Sequence, residues 1–79
     1  MPYITGMRFA NMIRPTRERA EKSQREVAED AGFALSYYQE VEAGESMPTL
    51  AKARALAAAL GASVDDLWPP DLPLAANEG

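Results

Sequence analysis

The side chains most suited to chemistry in this 79-residue chain lie in one short segment, residues 35–40. Gln39 offers an amide donor and acceptor side by side, Ser36 a hydroxyl and Glu40 a carboxylate. On a helix, residues three and four apart share a side, and the residues that project from this face are Leu35, Ser36, Gln39 and Glu40. This outer face, called the reading surface below, is the candidate ligand-binding surface of the chain.

Catalytic and metal chemistry is not indicated by the residue types present. The chain has no cysteine and no histidine, which excludes disulfides, thiolate zinc sites and the usual nucleophile-base pairs. No carboxylate pair is placed in an evident pocket. We therefore expect a protein that is not an enzyme, with no catalytic residue, no metal, no cofactor and no small-molecule ligand.

Two helices joined by a tight turn are predicted to carry the reading surface. Ser23 is a good N-cap, and Glu26 three residues later completes a capping box that starts the first helix. Gly32 ends that helix, because glycine can adopt the left-handed conformation required at a helix end at little energetic cost. The inner face of the second helix contains Tyr38 and Val41. The segment therefore reads as a helix-turn-helix.

Three more helices are predicted from the caps and breakers around this unit. Helix 1 starts near Ile13, so that Pro15 falls in its first turn. Helix 4 is capped by Thr49 and stopped by Gly61, and a short helix 5 is capped by Ser63. The prediction is an all-α protein of five helices, with helices 2 and 3 forming the helix-turn-helix.

The chain length allows one domain, which we place at residues 13–68. An apolar content of 47% with only 8% aromatic residues suits a small core of alanine and leucine. Residues 1–12 are expected to form an N-terminal arm or an extra helical turn. Residues 69–79 lack periodicity and are expected to be a flexible tail.

Several motifs stand in the order found in the XRE or Cro/lambda-repressor family of helix-turn-helix domains, which the chain resembles over most of its length. They are Ile13-Arg14 with Arg17, Ser23-Gln24 with Glu26 and Ala28, Gly32, Val41-Glu42 with Gly44, Pro48-Thr49-Leu50, and Ala58 through Leu67. The resemblance implies a five-helix lambda-repressor-like fold. It also implies a sequence-specific regulator that binds double-stranded DNA, and we expect a repressor acting as a homodimer on a palindromic operator.

The resemblance assigns DNA contacts to both sides of the helix-turn-helix. Its base-reading positions correspond to Leu35, Ser36 and Gln39. Glu40 is a fourth candidate base contact, because a carboxylate can accept from cytosine N4, and we assign it first as a selectivity or solubility residue. Gln39 could pair with adenine and Leu35 could rest against a thymine methyl group. The candidate phosphate contacts are Arg14, Lys22, Gln24, Arg25 and Tyr37. The alternative is that these residues are ordinary solvated surface residues.

Other residues have structural roles by the same resemblance. Arg17 and Glu42 occupy positions that form an ion pair between helices 1 and 3. Tyr38 matches a core position, with its hydroxyl expected to reach the edge, whereas Tyr37 is expected to be more exposed.

A dimer requires an apolar surface, for which the candidates are Leu67, Trp68 and Leu72. The alternative is that Leu67 and Trp68 close the core of the same molecule and the tail makes no contact with a partner.

Charge supports a second hypothesis from another functional class. The net charge is −4; residues 1–22 carry five basic and two acidic side chains, a net +3, whereas residues 23–46 carry one basic and six acidic side chains, a net −5. Such an acidic third helix could serve a protein-interaction module, an antitoxin or a regulatory partner, that binds a basic protein surface. No apolar run approaches a membrane span, so we expect no membrane partner and a cytoplasmic location.

Overall fold

The computed structural model describes residues 9–70, and within them the chain forms five α-helices and no strand. The helices are α1 (Ile13–Arg19), α2 (Gln24–Ala31), α3 (Leu35–Ala43), α4 (Leu50–Leu60) and α5 (Val64–Leu67). The predicted all-α class is confirmed, as is the helix-turn-helix formed by helices 2 and 3.

The helix-turn-helix is built from local signals in the sequence. The Ser23 hydroxyl accepts a hydrogen bond from the Glu26 backbone N–H at 3.0 Å, and the Glu26 carboxylate accepts from the Ser23 N–H at 2.7 Å. This capping box satisfies amides that have no partner in the first turn of α2. Gly32 has a φ of 79°, a left-handed conformation that residues with side chains rarely adopt, and α2 ends there.

A small apolar core to which all five helices contribute holds α3 against α2. Its largest fully buried side chains are Tyr38, Ile13, Leu56, Leu67, Val27 and Val41. Burying a side chain of this size stabilises the fold by about 1.5–3 kcal/mol relative to leaving it exposed. Because Tyr38 and Val41 point into this core, the opposite face of α3 is presented to solvent.

The end of α5 closes the core, which corrects one prediction. Leu67 is fully buried, and its backbone carbonyl accepts a hydrogen bond from the Met12 N–H at 2.8 Å. Its side chain is therefore occupied within the protein's own core and is not available to a second copy. Trp68 packs against the same core but is only half-buried, so its contribution to a dimer stays a prediction. Leu72 lies outside the described residues.

The stretch that precedes α1 is not helical and is anchored by Asn11. The Asn11 side-chain oxygen accepts from the Ile13 N–H at 2.9 Å, and its amide nitrogen donates to backbone carbonyls at the end of α3. The Phe9 N–H donates to the Gly44 carbonyl at 2.7 Å. Residues 9–12 thus join the start of α1 to the end of α3 and form no extra helical turn. The earlier part of the predicted arm lies outside the described residues.

Candidate nucleic-acid interface

The outer face of α3 carries three of the four predicted base-reading side chains in exposed positions. Ser36, Gln39 and Glu40 are exposed. Leu35, the first residue of the helix, is half-buried and packs partly against the core. The Glu40 carboxylate accepts a hydrogen bond from the Ser46 hydroxyl at 3.3 Å. This surface therefore presents one amide, one hydroxyl and one carboxylate to a ligand.

Beneath this face lies the ion pair that the family resemblance implies. Arg17 Nε donates to Glu42 Oε1 at 2.9 Å and Nη2 donates to Oε2 at 3.3 Å. The side chains of Arg17 and Glu42 are only 14% and 8% exposed. Arg17 Nη1 also donates to the Lys22 carbonyl at 3.0 Å, so the guanidinium ties α1 to the segment before α2 as well as to α3. The predicted pair is present and largely shielded from water.

Tyr38 joins this pair through its hydroxyl. The ring is fully buried, as expected for a core position, and the hydroxyl donates to Glu42 Oε1. A buried phenol needs a hydrogen-bond partner, and the carboxylate one turn away supplies it. Tyr37 is the more exposed of the two tyrosines.

Two glutamines extend the network from the buried pair to the surface. Gln24 Nε2 donates to Glu42 Oε2 at 3.1 Å, and Gln39 Nε2 donates to Gln24 Oε1 at 3.1 Å. Gln24 is the first residue of α2 and Gln39 lies on the exposed face of α3. The first turn of α2 therefore fixes a side chain on the reading surface.

The network sets the protonation states of its members. Burial by itself would raise the pKa of Glu42, but hydrogen bonds from Arg17, Tyr38 and Gln24 outweigh it and hold that pKa below its usual value. The hydrogen bond with Glu42 raises the pKa of Arg17. Burial, followed by the hydrogen bond to Glu42, raises the pKa of Tyr38. At neutral pH the cluster holds a carboxylate, a guanidinium and a neutral phenol.

The predicted phosphate contacts occupy different environments. Arg25 is exposed and has no partner among residues 9–70. Arg14 is exposed and pairs with Glu18 at 3.1 Å. Lys22 Nζ donates to the Ala59 carbonyl at 3.0 Å and pairs with Asp30 at 3.3 Å, so its charge is partly compensated within the fold. The last candidate, Tyr37, is half-buried.

A family model for the helix-turn-helix domain matches residues 8–68, which is most of the chain. The chain belongs to the helix-turn-helix domain family. The matched range encloses the predicted domain and every described element of the network.

Two known proteins are similar to this helix-turn-helix domain. The cryptic phage CTXphi transcriptional repressor RstR of Vibrio cholerae serotype O1 is 31% identical over 68 residues, which is 82% of this chain. The chain spans 61% of the length of that relative. The crystal structure of the restriction-modification controller protein C.AhdI from Aeromonas hydrophila superposes with a TM-score of 0.69 at 28% identity, covering 81% of this chain and 97% of that one.

Some residues of this helix-turn-helix domain carry no motif signal but help to hold its site. Asn11 belongs to no recognised pattern, and its contacts depend on α3 being packed beside it. Lys52 on α4 is another: its Nζ lies 4.8 Å from the centroid of the Tyr37 ring, which also meets Phe33 edge to face at 5.2 Å. A cation over an aromatic face is attracted to it, so Lys52 places a positive charge beside α3. Only the tertiary structure brings these groups together.

No group of side chains able to hold a metal ion occurs within the described residues of this helix-turn-helix domain. Across residues 9–70, no helix has the length and apolar character needed to cross a membrane.

Acidification is expected to destabilise this helix-turn-helix domain through Glu42. Its pKa is lower in the folded chain than the ordinary value of 4.5, so protons bind the unfolded chain more readily. The stabilisation is present above that ordinary value and is lost as the pH falls through the lower folded pKa. Urea unfolding measured from neutral to acid pH should show a steeper loss of the free energy of unfolding for the wild type than for Glu42→Gln. An equal dependence of the free energy of unfolding on pH in the two proteins would contradict the lowered pKa of Glu42.

Proposed function

We propose that this chain is a sequence-specific regulator of transcription that binds double-stranded DNA, acting as a repressor by occupying a palindromic operator as a homodimer. The observation that carries this proposal is the exposed amide of Gln39, held in place on the outer face of a helix-turn-helix. Gln39 uses one N–H on Gln24 and keeps the other N–H and its oxygen for a ligand.

The remaining groups of Gln39 match the edge of adenine in the major groove. Adenine offers the N6 amine as a donor and N7 as an acceptor, and a glutamine amide can pair with both at once. Ser36 is exposed on the same helix and can bond either base type. Together these side chains provide direct readout of base identity, which is the property that a sequence-specific regulator requires.

The acidic character of residues 23–46 is smaller at the surface than the sequence suggests. Glu42 is paired with Arg17 and largely shielded. Asp30 pairs with Lys22. These two pairs reduce the repulsion of a phosphate backbone by this segment, which weakens the charge argument for the basic protein surface of the alternative hypothesis.

Backbone contacts are assigned to the start of α2. Gln24 donates one N–H to Glu42 and keeps a second N–H for a phosphate oxygen, close to the positive end of the helix dipole. Arg25 follows it with an exposed guanidinium. Such contacts set the position of the domain on the duplex, whereas α3 supplies sequence discrimination.

Arg25→Ala is expected to weaken binding to duplex DNA and to reduce its salt dependence. Each phosphate contact contributes roughly 0.9 to the slope of log affinity against log salt, so loss of one contact lowers the slope by about that amount. The measurement is fluorescence anisotropy on duplex DNA between about 50 and 200 mM salt, the range in which phosphate-driven affinity falls steeply.

Glu29→Gln is the matched control for that experiment, because Glu29 is an exposed charged residue of the same helix without a partner in the described part of the chain. It should leave the salt slope unchanged. If Arg25→Ala proves neutral while Glu40→Gln abolishes binding to a basic protein partner, the protein-interaction hypothesis takes the place of DNA binding.

For the homodimer we assign a groove between α4 and α5, in place of the buried Leu67. Its lining includes Leu50, which is 59% exposed, the half-buried Val64 and the small side chain of Ala58. Arg54 and Asp65 also line it and have no partner among the described residues. In a two-fold contact these opposite charges can meet across the interface. Sedimentation of the complex with DNA measures the number of chains bound per operator, and one chain per operator would contradict the dimer.

A further inference from the structure

A continuous chain of hydrogen bonds runs from a buried carboxylate to the reading surface. It begins at Glu42, passes through the Gln24 amide and ends at Gln39, with both links at 3.1 Å. Glu42 is 8% exposed whereas Gln39 is exposed, so the chain crosses from the interior to the solvent. The two glutamines lie 15 residues apart and on different helices, and they meet only in the folded protein.

The direction of this chain is fixed at its buried end. An ionised carboxylate accepts hydrogen bonds and donates none. Arg17 supplies two donors to Glu42 and Tyr38 supplies a third, which prevents the carboxylate from turning. The remaining acceptor position faces Gln24, and an amide oxygen placed there would oppose a carboxylate oxygen. Gln24 must therefore present its Nε2 to Glu42.

The same logic sets the amide of Gln39. With Nε2 of Gln24 committed to Glu42, its Oε1 is the atom that faces α3. An oxygen acceptor requires a donor opposite it, so Gln39 must present an N–H to Gln24. Gln39 is left with one N–H and its oxygen available to a ligand.

We propose that Glu42, acting through Gln24, is a positioning group that fixes the amide of Gln39 in the orientation that selects adenine. This inference rests on the proposed function, because it concerns how the DNA-reading side chain is set. Guanine presents two acceptors in the major groove, N7 and O6. Gln39 has one free N–H and can satisfy only one of them, whereas it satisfies both the donor and the acceptor of adenine.

The first experiment tests the chain of hydrogen bonds in the free protein and needs no DNA. The sequence contains two glutamines, so nitrogen-15 NMR resolves two glutamine side-chain amide pairs. The wild type should show Gln39 amide signals displaced from those of a solvated glutamine, and Gln24→Met should return them to solvated values. Circular dichroism establishes that the variant is folded. Solvated Gln39 signals in the wild type would overturn the inference.

The second experiment measures base preference on a duplex selected by the wild type, as the affinity ratio between adenine and guanine at the position that Gln39 reads. One bidentate contact corresponds to a ratio of roughly 5- to 150-fold. Gln24→Met should bring the ratio close to one, as should Gln39→Ala. Arg25→Met is the matched control: it removes the neighbouring phosphate contact, and it should lower both affinities together and leave the ratio unchanged.

The outcomes separate this inference from the proposed function. A reduced ratio for Gln24→Met, with an unchanged ratio for Arg25→Met, supports the positioning role. A uniform loss of affinity with the ratio preserved overturns that role and leaves Gln24 as a phosphate contact of a DNA-binding protein. If the wild type binds no duplex, the proposed function fails, and with it the assignment of Gln39 to adenine, whatever the NMR spectra show.

Discussion

Arg17→Met is expected to lower the free energy of unfolding by about 3–5 kcal/mol, because it leaves the shielded Glu42 carboxylate without its cation. Both side chains of the pair are more than four-fifths buried. A loss of this size is comparable with the whole stability of many small domains, which begins near 5 kcal/mol. Urea denaturation followed by circular dichroism measures the effect.

Arg14→Met provides the matched control for Arg17→Met. Arg14 lies on the same helix and also pairs with a glutamate, but the side chains of Arg14 and Glu18 are 70% and 55% exposed. An exposed pair of this kind contributes roughly 0–1 kcal/mol, so the variant should remain nearly as stable as the wild type. Equal losses for the two variants would mean that shielding of the Arg17 pair does not determine its contribution.

Leu67→Ala is the second substitution from which we expect a large effect, about 2–5 kcal/mol of lost stability. Leu67 is fully buried at the point where α5 closes the core, and truncation removes apolar contacts and leaves a cavity. The loss should appear at a protein concentration at which the chain is monomeric, because the contacts lie within one molecule. Urea denaturation at two protein concentrations tests this directly.

Leu50→Ala is the corresponding control for an exposed leucine. Leu50 is 59% exposed, and a surface substitution of this kind changes stability by about 0.5 kcal/mol or less. Its effect should instead appear in self-association, since Leu50 lines the groove between α4 and α5. If Leu67→Ala destabilised the protein only at concentrations where a dimer forms, the assignment of Leu67 to the core would be refuted.

The parts of the fold that the sequence predicts correctly are those with local causes. The capping box of Ser23 and Glu26 and the left-handed Gly32 depend on residues within one or two turns of each other. The inward positions of Tyr38 and Val41 follow from helical periodicity. Such features need no knowledge of what packs against them, and the structure reproduces them.

The network beneath the reading surface has non-local causes and could be predicted only in part. Arg17 and Glu42 lie 25 residues apart, and their pairing came from the family resemblance alone. The direction of the Tyr38 hydroxyl, the bond between Gln24 and Gln39, and the anchoring role of Asn11 depend on how the helices pack. Helical periodicity assigns a residue to a face but does not identify its partner on another helix.

Charge pairing and burial explain the remaining differences between the predictions from sequence and the structure. Counting acidic residues between 23 and 46 treats every carboxylate as exposed, whereas Glu42 is shielded and paired. The choice of Leu67 for a dimer surface failed for a related reason. An apolar residue near the end of a short helix can close the core or face a partner, and only the packing of α5 decides between the two.

The measurement that tests the central claim most directly is selection from a random duplex library. The purified protein is incubated with the library at roughly 50 and 200 mM salt, and the bound DNA is recovered and sequenced. The proposed function predicts enrichment of one inverted repeat that contains adenine at a defined position. When the selection is repeated with Gln39→Ala, the preference for adenine at that position should disappear. Recovery of DNA without a shared motif, or of none at either salt concentration, would contradict sequence-specific binding by this domain.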